Sequence, residues 1–152
     1  MQPNEMAQQL GSKGLNWRDK RPNISLKENG REYRANNIKN KEVFCYRIDG
    51  DVIDQIEGQK ACDYGLGIPI DDRFVLIELK GGNLDYAIQQ IDATIDFLGS
   101  KLNDLKIDVH IILSRNRTPD LKGSNFQRLQ AKLKKKKNGF LKTHTARCEE
   151  IL

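Results

Sequence analysis

Glu78 and Lys80 stand two residues apart at the end of the most hydrophobic stretch of the chain, Arg73-Phe74-Val75-Leu76-Ile77-Glu78-Leu79-Lys80-Gly81, and a further acid, Asp63, lies on the preceding segment. On an extended strand alternate side chains share a face, so Glu78 and Lys80 point to one side while Val75, Ile77 and Leu79 point to the other. If the segment carrying Asp63 pairs beside this strand, two carboxylates and an ammonium converge. That set suits a divalent metal and phosphodiester hydrolysis. Mg²⁺ takes one or two carboxylates plus waters, polarises a phosphoryl oxygen and lowers the pKa of bound water. A Glu-Lys pair at a strand end, taken alone, reads equally well as an ion pair contributing about 0–1 kcal/mol. Asp63 on the neighbouring segment and Gln90 on the next one separate the two readings, because their types and order must otherwise coincide by chance.

The surrounding pattern supplies elements to hold these residues. Asn23–Glu28 and Arg31–Asn36 flank Asn29-Gly30, the strongest local signal for a tight hairpin, since a type I′ turn needs positive φ at both central residues. Ser25 and Glu28 also spell a helix capping box, but Asn29-Gly30 would end such a helix after one turn. A third strand follows through Val43–Ile48, turning at Asp49-Gly50, and a fourth spans Gln59–Ile68 with Asp63 in its middle. Gly65 and Gly67 leave room there for close approach to the backbone. From Asn83 to Lys101 the period becomes helical, with Leu84, Ile88, Ile91, Ile95 and Leu98 forming one stripe, Asn83 as N-cap and Asp85 in the first turn. Ile107, Val109, Ile111 and Leu113 alternate in a further strand, parallel to the central one after a helical crossover. A second helix is expected over Asn125–Lys137 with Ser124 as N-cap, then a strand-like tail over Phe140–Ile151.

The chain has 152 residues and a net charge of +5, enough for one domain with a core and suited to a polyanionic partner. Residues 1–22 are polar and weakly periodic, so they read as a flexible N-terminal arm docked by Trp17, with 23–152 as a single domain. No apolar run approaches the roughly 20 residues needed to cross a bilayer, and the first residues lack a signal-peptide core. A cytoplasmic protein without membrane contact is expected. Cys45, Cys62 and Cys148 are odd in number and widely spaced, which reads as free thiols. The spacing of His110 and His144 from any cysteine pair argues against zinc, and both histidines read as ordinary sheet residues.

In order, the pattern is a strand with Asp63, a turn, a strand ending Glu78-Leu79-Lys80, a helix with Gln90, and a strand. With Cys62-Asp63-Tyr64, Ile77-Glu78-Leu79-Lys80-Gly81 and Ala87-Ile88-Gln89-Gln90-Ile91, the sequence over roughly residues 43–115 resembles the PD-(D/E)XK nuclease superfamily. That superfamily includes restriction endonucleases and small Holliday-junction resolvases. The resemblance implies an α/β, restriction-endonuclease-like fold: a mixed, mostly antiparallel central β-sheet flanked by two helices, with the N-terminal β-hairpin beside it. It further implies that Asp63, Glu78 and the Leu79 carbonyl hold Mg²⁺, with Mn²⁺ as a substitute. Lys80 would activate the attacking water and Gln90 would position the water or the phosphate. Cys62 stands where the family usually has proline. The additional acid that the family often draws from a preceding helix has Asp49, then Glu42, as its substitutes here.

The expected activity is Mg²⁺-dependent hydrolysis of DNA, in preference to RNA, with a homodimer as one way to cover a duplex. Arg115 and Arg117, just past a strand end, are placed to line a cleft. Arg128, Lys132 and Lys135, within the basic tract reaching Lys137, read either as a solvated helix face or as a backbone-binding surface, since Lys and Arg neutralise phosphates without reading sequence. The rival readings are a catalytically inactive nuclease-like adaptor that binds nucleic acid or protein, and an immunity or inhibitor protein.

Overall fold

A computed structural model describes residues 1–54, 60–79, 83–114 and 123–152. The elements are α1 (Pro3–Leu10), β1 (Leu15–Asp19), β2 (Asn23–Glu28), β3 (Arg31–Asn36), β4 (Val43–Arg47), β5 (Tyr64–Ile68), β6 (Arg73–Glu78), α2 (Leu84–Leu98), β7 (Lys106–Leu113), α3 (Ser124–Lys135), β8 (Leu141–Thr145) and β9 (Arg147–Ile151). The fold is α/β around a mixed six-stranded sheet of order β1-β4-β5-β6-β7-β8. Pairing is antiparallel from β1 to β6 and parallel from β6 to β8. Each parallel step requires a crossover, and α2 and α3 supply them. A second sheet, β2-β3-β9, covers the other face. Among the described residues no helix is long and apolar enough to cross a membrane.

Two cores sandwich the central sheet. Phe74 and Leu76 of β6 and Val109 and Ile111 of β7 meet Met6 and Leu10 of α1, Ile88, Ile91 and Ile95 of α2, and Leu129 and Leu133 of α3. On the opposite face Val75, Ile77, Leu79 and Ile112 meet Ile24, Leu26, Tyr33 and Ala35 of the second sheet. Burial on both faces explains why β6 and β7 are near-continuous apolar runs, whereas β2 alternates.

Several expectations change. Residues 1–22 are not an arm: α1 buries Met6 and Leu10, and β1 pairs with β4 as the edge of the central sheet. Only two residues of α1 are buried, with Ala7 packed beside them, too few apolar positions to mark a helix in a polar background. Three helices, rather than two, lie on the sheet. β2 and β3 pair about Asn29-Gly30, where φ is 50° and 75°, but this hairpin follows α1 and β1 and belongs to the second sheet. α2 is capped by Asn83, whose Oδ1 accepts from the Tyr86 N–H at 3.2 Å, whereas Gly123 rather than Ser124 caps α3. The terminal tail is two strands in two sheets, divided at Ala146, where φ is 65°. What approaches the bare backbone of Gly65 is the core itself: a Cβ there would lie 2.6 Å from the Phe74 ring and 2.9 Å from Ile48.

One polar network crosses from sheet to sheet. Arg73, at the start of β6, donates from Nε to the fully buried Asp108 at 2.6 Å and from Nη2 to Glu150 of β9. Asp108 also accepts from the Phe140 N–H at 3.1 Å, and Glu150 accepts from the Tyr33 hydroxyl at 2.5 Å. Removing the guanidinium deprives Glu150 of its close cation and leaves Asp108 with the more distant Lys106 Nζ at 3.6 Å, in a poorly solvated space where such a loss is costly even though the intact pair itself adds little. Arg73→Met is therefore expected to lower stability by about 3–5 kcal/mol, read as a shift in the urea midpoint followed by Trp17 fluorescence. A change below about 1 kcal/mol, the range of an exposed pair, would show that the network is not shielded from water.

Candidate functional site

The last paired positions of β5 and β6 are Tyr64 and Ile77. Continued one step past the end of the ladder, this antiparallel register sets Asp63 opposite Glu78. Facing residues of an antiparallel pair lie on one side of the sheet. Phe74 and Leu76 face the helices, so alternation puts Glu78 there too. Asp63 is not in mid-strand, as expected, but at the bend that opens β5. Its carbonyl accepts from the Ile48 N–H at 2.9 Å, continuing the β4 ladder, and its Oδ2 accepts from the Leu79 N–H at 2.7 Å. The side chain thus takes over the ladder where the β5 backbone turns away. Asp63 is 3% exposed and Glu78 is fully buried.

Helix α2 grips the segment leading into Asp63. Gln90 Nε2 donates to the Ala61 carbonyl at 3.2 Å, and Thr94, one turn on, accepts from the Cys62 N–H at 2.9 Å while donating to the Gln90 carbonyl at 2.8 Å. All three polar groups are buried. Thr94 was not singled out in the sequence, although a polar residue within an apolar helical stripe is the signal that finds it. Gln89, its exposed neighbour, instead accepts from Lys60 Nζ. The Cys62 thiol is held well above the usual range, first by burial and then by the Glu78 carboxylate, with Asp63 adding to it against the opposing Thr94 hydrogen bond. Both acids therefore project negative potential onto one spot.

Other expected site residues fall differently. The Leu79 carbonyl, expected on a metal, accepts from Arg31 Nη1 of the hairpin at 3.0 Å. A guanidinium at that oxygen opposes a second cation there. Arg31 is thereby a site neighbour that the sequence did not indicate, because contact with β6 depends on how the two sheets stack. Glu42 pairs with Arg18 at 2.7 Å before β4 begins, six residues before Ile48 and so about 20 Å along the strand from Asp63. Asp49 sits in the turn after β4, bridged to Ile53. On α3, Arg128, Lys132 and Lys135 are exposed, but Lys132 is engaged by Asp92 at 2.7 Å and Asp96 at 3.3 Å of α2. Burial alone would lower its pKa, yet these two acids raise it. Lys80, Arg115 and Arg117 lie outside the described residues.

A second concentration of chemistry lies on the opposite face of the central sheet. His110 of β7, His144 of β8 and Cys148 of β9 converge, with their ligand atoms within 4.8 Å of one another. His110 Nδ1 lies 2.8 Å from His144 Nε2 and 3.5 Å from Cys148 Sγ. Burial, aided by His110 and Lys142, drops the His144 pKa to about 4, and burial with Glu150 lifts the Cys148 thiol to about 12. Both histidines stand in strands, as expected, and what the sequence did not indicate is that they meet each other and Cys148. Comparison with family models, curated proteins and solved structures finds no match to this chain.

Thr94→Val keeps the side-chain shape and removes the acceptor for the buried Cys62 N–H. The expected cost is about 1–3 kcal/mol, with faster hydrogen exchange concentrated at Cys62 and Asp63. Uniform exchange across the chain would show that α2 does not hold this segment in particular.

Proposed function

We propose that the protein is a Mg²⁺-dependent nuclease acting on DNA. The observation that carries this reading is the facing placement of Asp63 and Glu78 at the end of the β5–β6 pair, with Gln90 of the covering helix hydrogen-bonded two residues from Asp63. Two buried carboxylates in facing positions repel each other, and a hard cation between them turns that repulsion into attraction. The donor set is hard oxygen, as Mg²⁺ prefers. The Leu79 carbonyl fits less well because Arg31 already donates to it, so Asp63 and Glu78 are the protein ligands, with water completing the shell. A bound Mg²⁺ would polarise the phosphoryl oxygen and acidify a coordinated water.

The chain's own residues do the rest. Asp63 and Glu78 fix the cation against the strand end, Asp63 by an orientation that the Leu79 N–H sets. Gln90 and Thr94 hold the 61–62 segment, and so the angle at which Asp63 enters. Lys80, two residues past Glu78, takes or supplies the water's proton and offsets charge on the phosphate. Arg31 adds a fixed guanidinium beside the same strand end. Arg128 and Lys135 offer exposed charge to the DNA backbone, whereas Lys132 serves the α2–α3 contact.

The test is incubation of the full chain with supercoiled, linear, branched and single-stranded DNA, in Mg²⁺, in Mn²⁺ and in EDTA. Cleavage is expected with either metal and none with EDTA. Lys80→Ala should reduce the rate about 10²-fold or more, as for removal of a general acid or base, and Glu78→Gln should abolish it with the circular dichroism spectrum unchanged. If no substrate is cut with any metal while the folded protein still retards DNA on a gel, the non-catalytic adaptor reading replaces this one.

A further inference from the structure

We propose that His110, His144 and Cys148 form a zinc site that ties the two β-sheets together. Among the described residues this is the one group of three or more His, Cys, Asp or Glu side chains whose ligand atoms converge in this way. Each ligand comes from a different strand: His110 from β7 and His144 from β8 of the central sheet, Cys148 from β9 of the second. The chain passes from one sheet to the other at Ala146, where φ is 65°. The three residues therefore surround the corner at which β8 becomes β9. His110 and Cys148 are buried and His144 is half-buried, so the site is shielded but reachable from the His144 side.

The distances suit the ion. With Zn–N near 2.0–2.1 Å and Zn–S near 2.3 Å, tetrahedral geometry puts nitrogen ligands about 3.3 Å apart and nitrogen from sulfur about 3.6 Å. The 3.5 Å between His110 Nδ1 and Cys148 Sγ already meets this. The 2.8 Å between the two imidazoles has to open by about half an ångström, a change that small rotations of the half-buried His144 ring supply. Two imidazoles and a thiolate select a borderline-soft metal, zinc above all, over Mg²⁺ or Ca²⁺. Three protein ligands leave the fourth position to water.

The groups behind the ligands fit a metal as well. The other nitrogen of His110, Nε2, is buried without an aligned hydrogen bond and lies 3.3 Å from Glu150 Oε2. A carboxylate there calls for the ring proton on Nε2, which turns the Nδ1 lone pair toward His144 and Cys148. Glu150 is itself fixed by the Tyr33 hydroxyl at 2.5 Å and by Arg73. A small rotation that aligns this contact would give the carboxylate–histidine arrangement that orients metal-bound imidazoles. Without metal, the same lone pair accepts the His144 Nε2–H, so the pair is satisfied in either state. Uptake of Zn²⁺ breaks that hydrogen bond, moves the His144 ring proton to Nδ1 and releases the Cys148 thiol proton to solvent. The bound charge is offset by the thiolate and by Glu150, with Lys142 and Arg73 as the nearby opposing cations.

His110 faces the second sheet alongside Asp108, whereas Glu78 faces the helices. Zinc therefore acts on stability at the sheet corner, and this inference stands independently of the proposed nuclease site.

The test uses the full chain, stripped with EDTA, re-equilibrated and then titrated with Zn²⁺ or Co²⁺. About one Zn²⁺ per chain is expected, with a rise in Tm and a thiolate-to-cobalt charge-transfer band in the near ultraviolet. Cys148→Ser should lose that band, and His144→Asn should weaken zinc at least tenfold in competition with a chromophoric chelator, each losing the Tm rise. Should Cys148→Ser fail to fold, the cobalt spectrum of the unaltered chain and the half-buried His144→Asn variant decide. The proposal is overturned if the folded, unaltered chain takes up no stoichiometric Zn²⁺, or if the charge-transfer band survives in Cys148→Ser. Equal zinc affinity in the unaltered and His144→Asn chains would overturn it too.

Discussion

Strand β6 is covered on both faces, by helices on one side and by a second sheet on the other, and the polar arrangement of the molecule follows from that burial. A strand so enclosed can carry charge only at its ends, and only where partners are fixed in place. At its start Arg73 turns toward the second sheet and is met by Asp108 and Glu150. At its finish Glu78 turns toward the helices and faces Asp63 across the β5 register. The two ends differ in kind. The first encloses a cation between acids; the second brings acids together.

That difference shapes how each end is held. The Arg73 network is closed by side chains from both sheets, so it locks their stacking. The acidic end is held mainly from the backbone: Asp63 substitutes for a missing ladder partner at the Leu79 N–H, and α2 secures residues 61 and 62 through Gln90 and Thr94. A buried carboxylate fixed by a backbone hydrogen bond keeps its position at the strand end. Arg31 reaches the same strand end from the hairpin, so the second sheet contributes to the site as well as to the core.

Glu150 connects these themes to the sheet corner. One carboxylate receives Arg73, the Tyr33 hydroxyl and the edge of His110, and its own pKa is pulled down to about 2, where those hydrogen bonds and charges outweigh the opposing effect of burial. Through it, the orientation of the imidazole beside Cys148 depends on the same packing that positions the start of β6.

What the amino-acid sequence determined alone was whatever is governed by near neighbours. The Asn29-Gly30 turn needs only two residues tolerant of positive φ; α2 needs an apolar stripe and the Asn83 cap; β6 and β7 need apolar runs long enough for a covered strand. Alternation likewise assigned Glu78 and Leu79 to opposite faces before any fold was known. The rest came from tertiary structure. α1 forms because Met6 and Leu10 find the bare backbone of Gly67 and its surroundings, a surface that other segments create. The tail splits at Ala146 because two sheets compete for it, and no turn residue announces the split. His110, His144 and Cys148 are separated by up to 38 residues, and spacing rules written for metal-binding loops do not see ligands drawn from three strands. Local preference acts over a few residues, whereas which faces meet is decided by the packing of whole sheets.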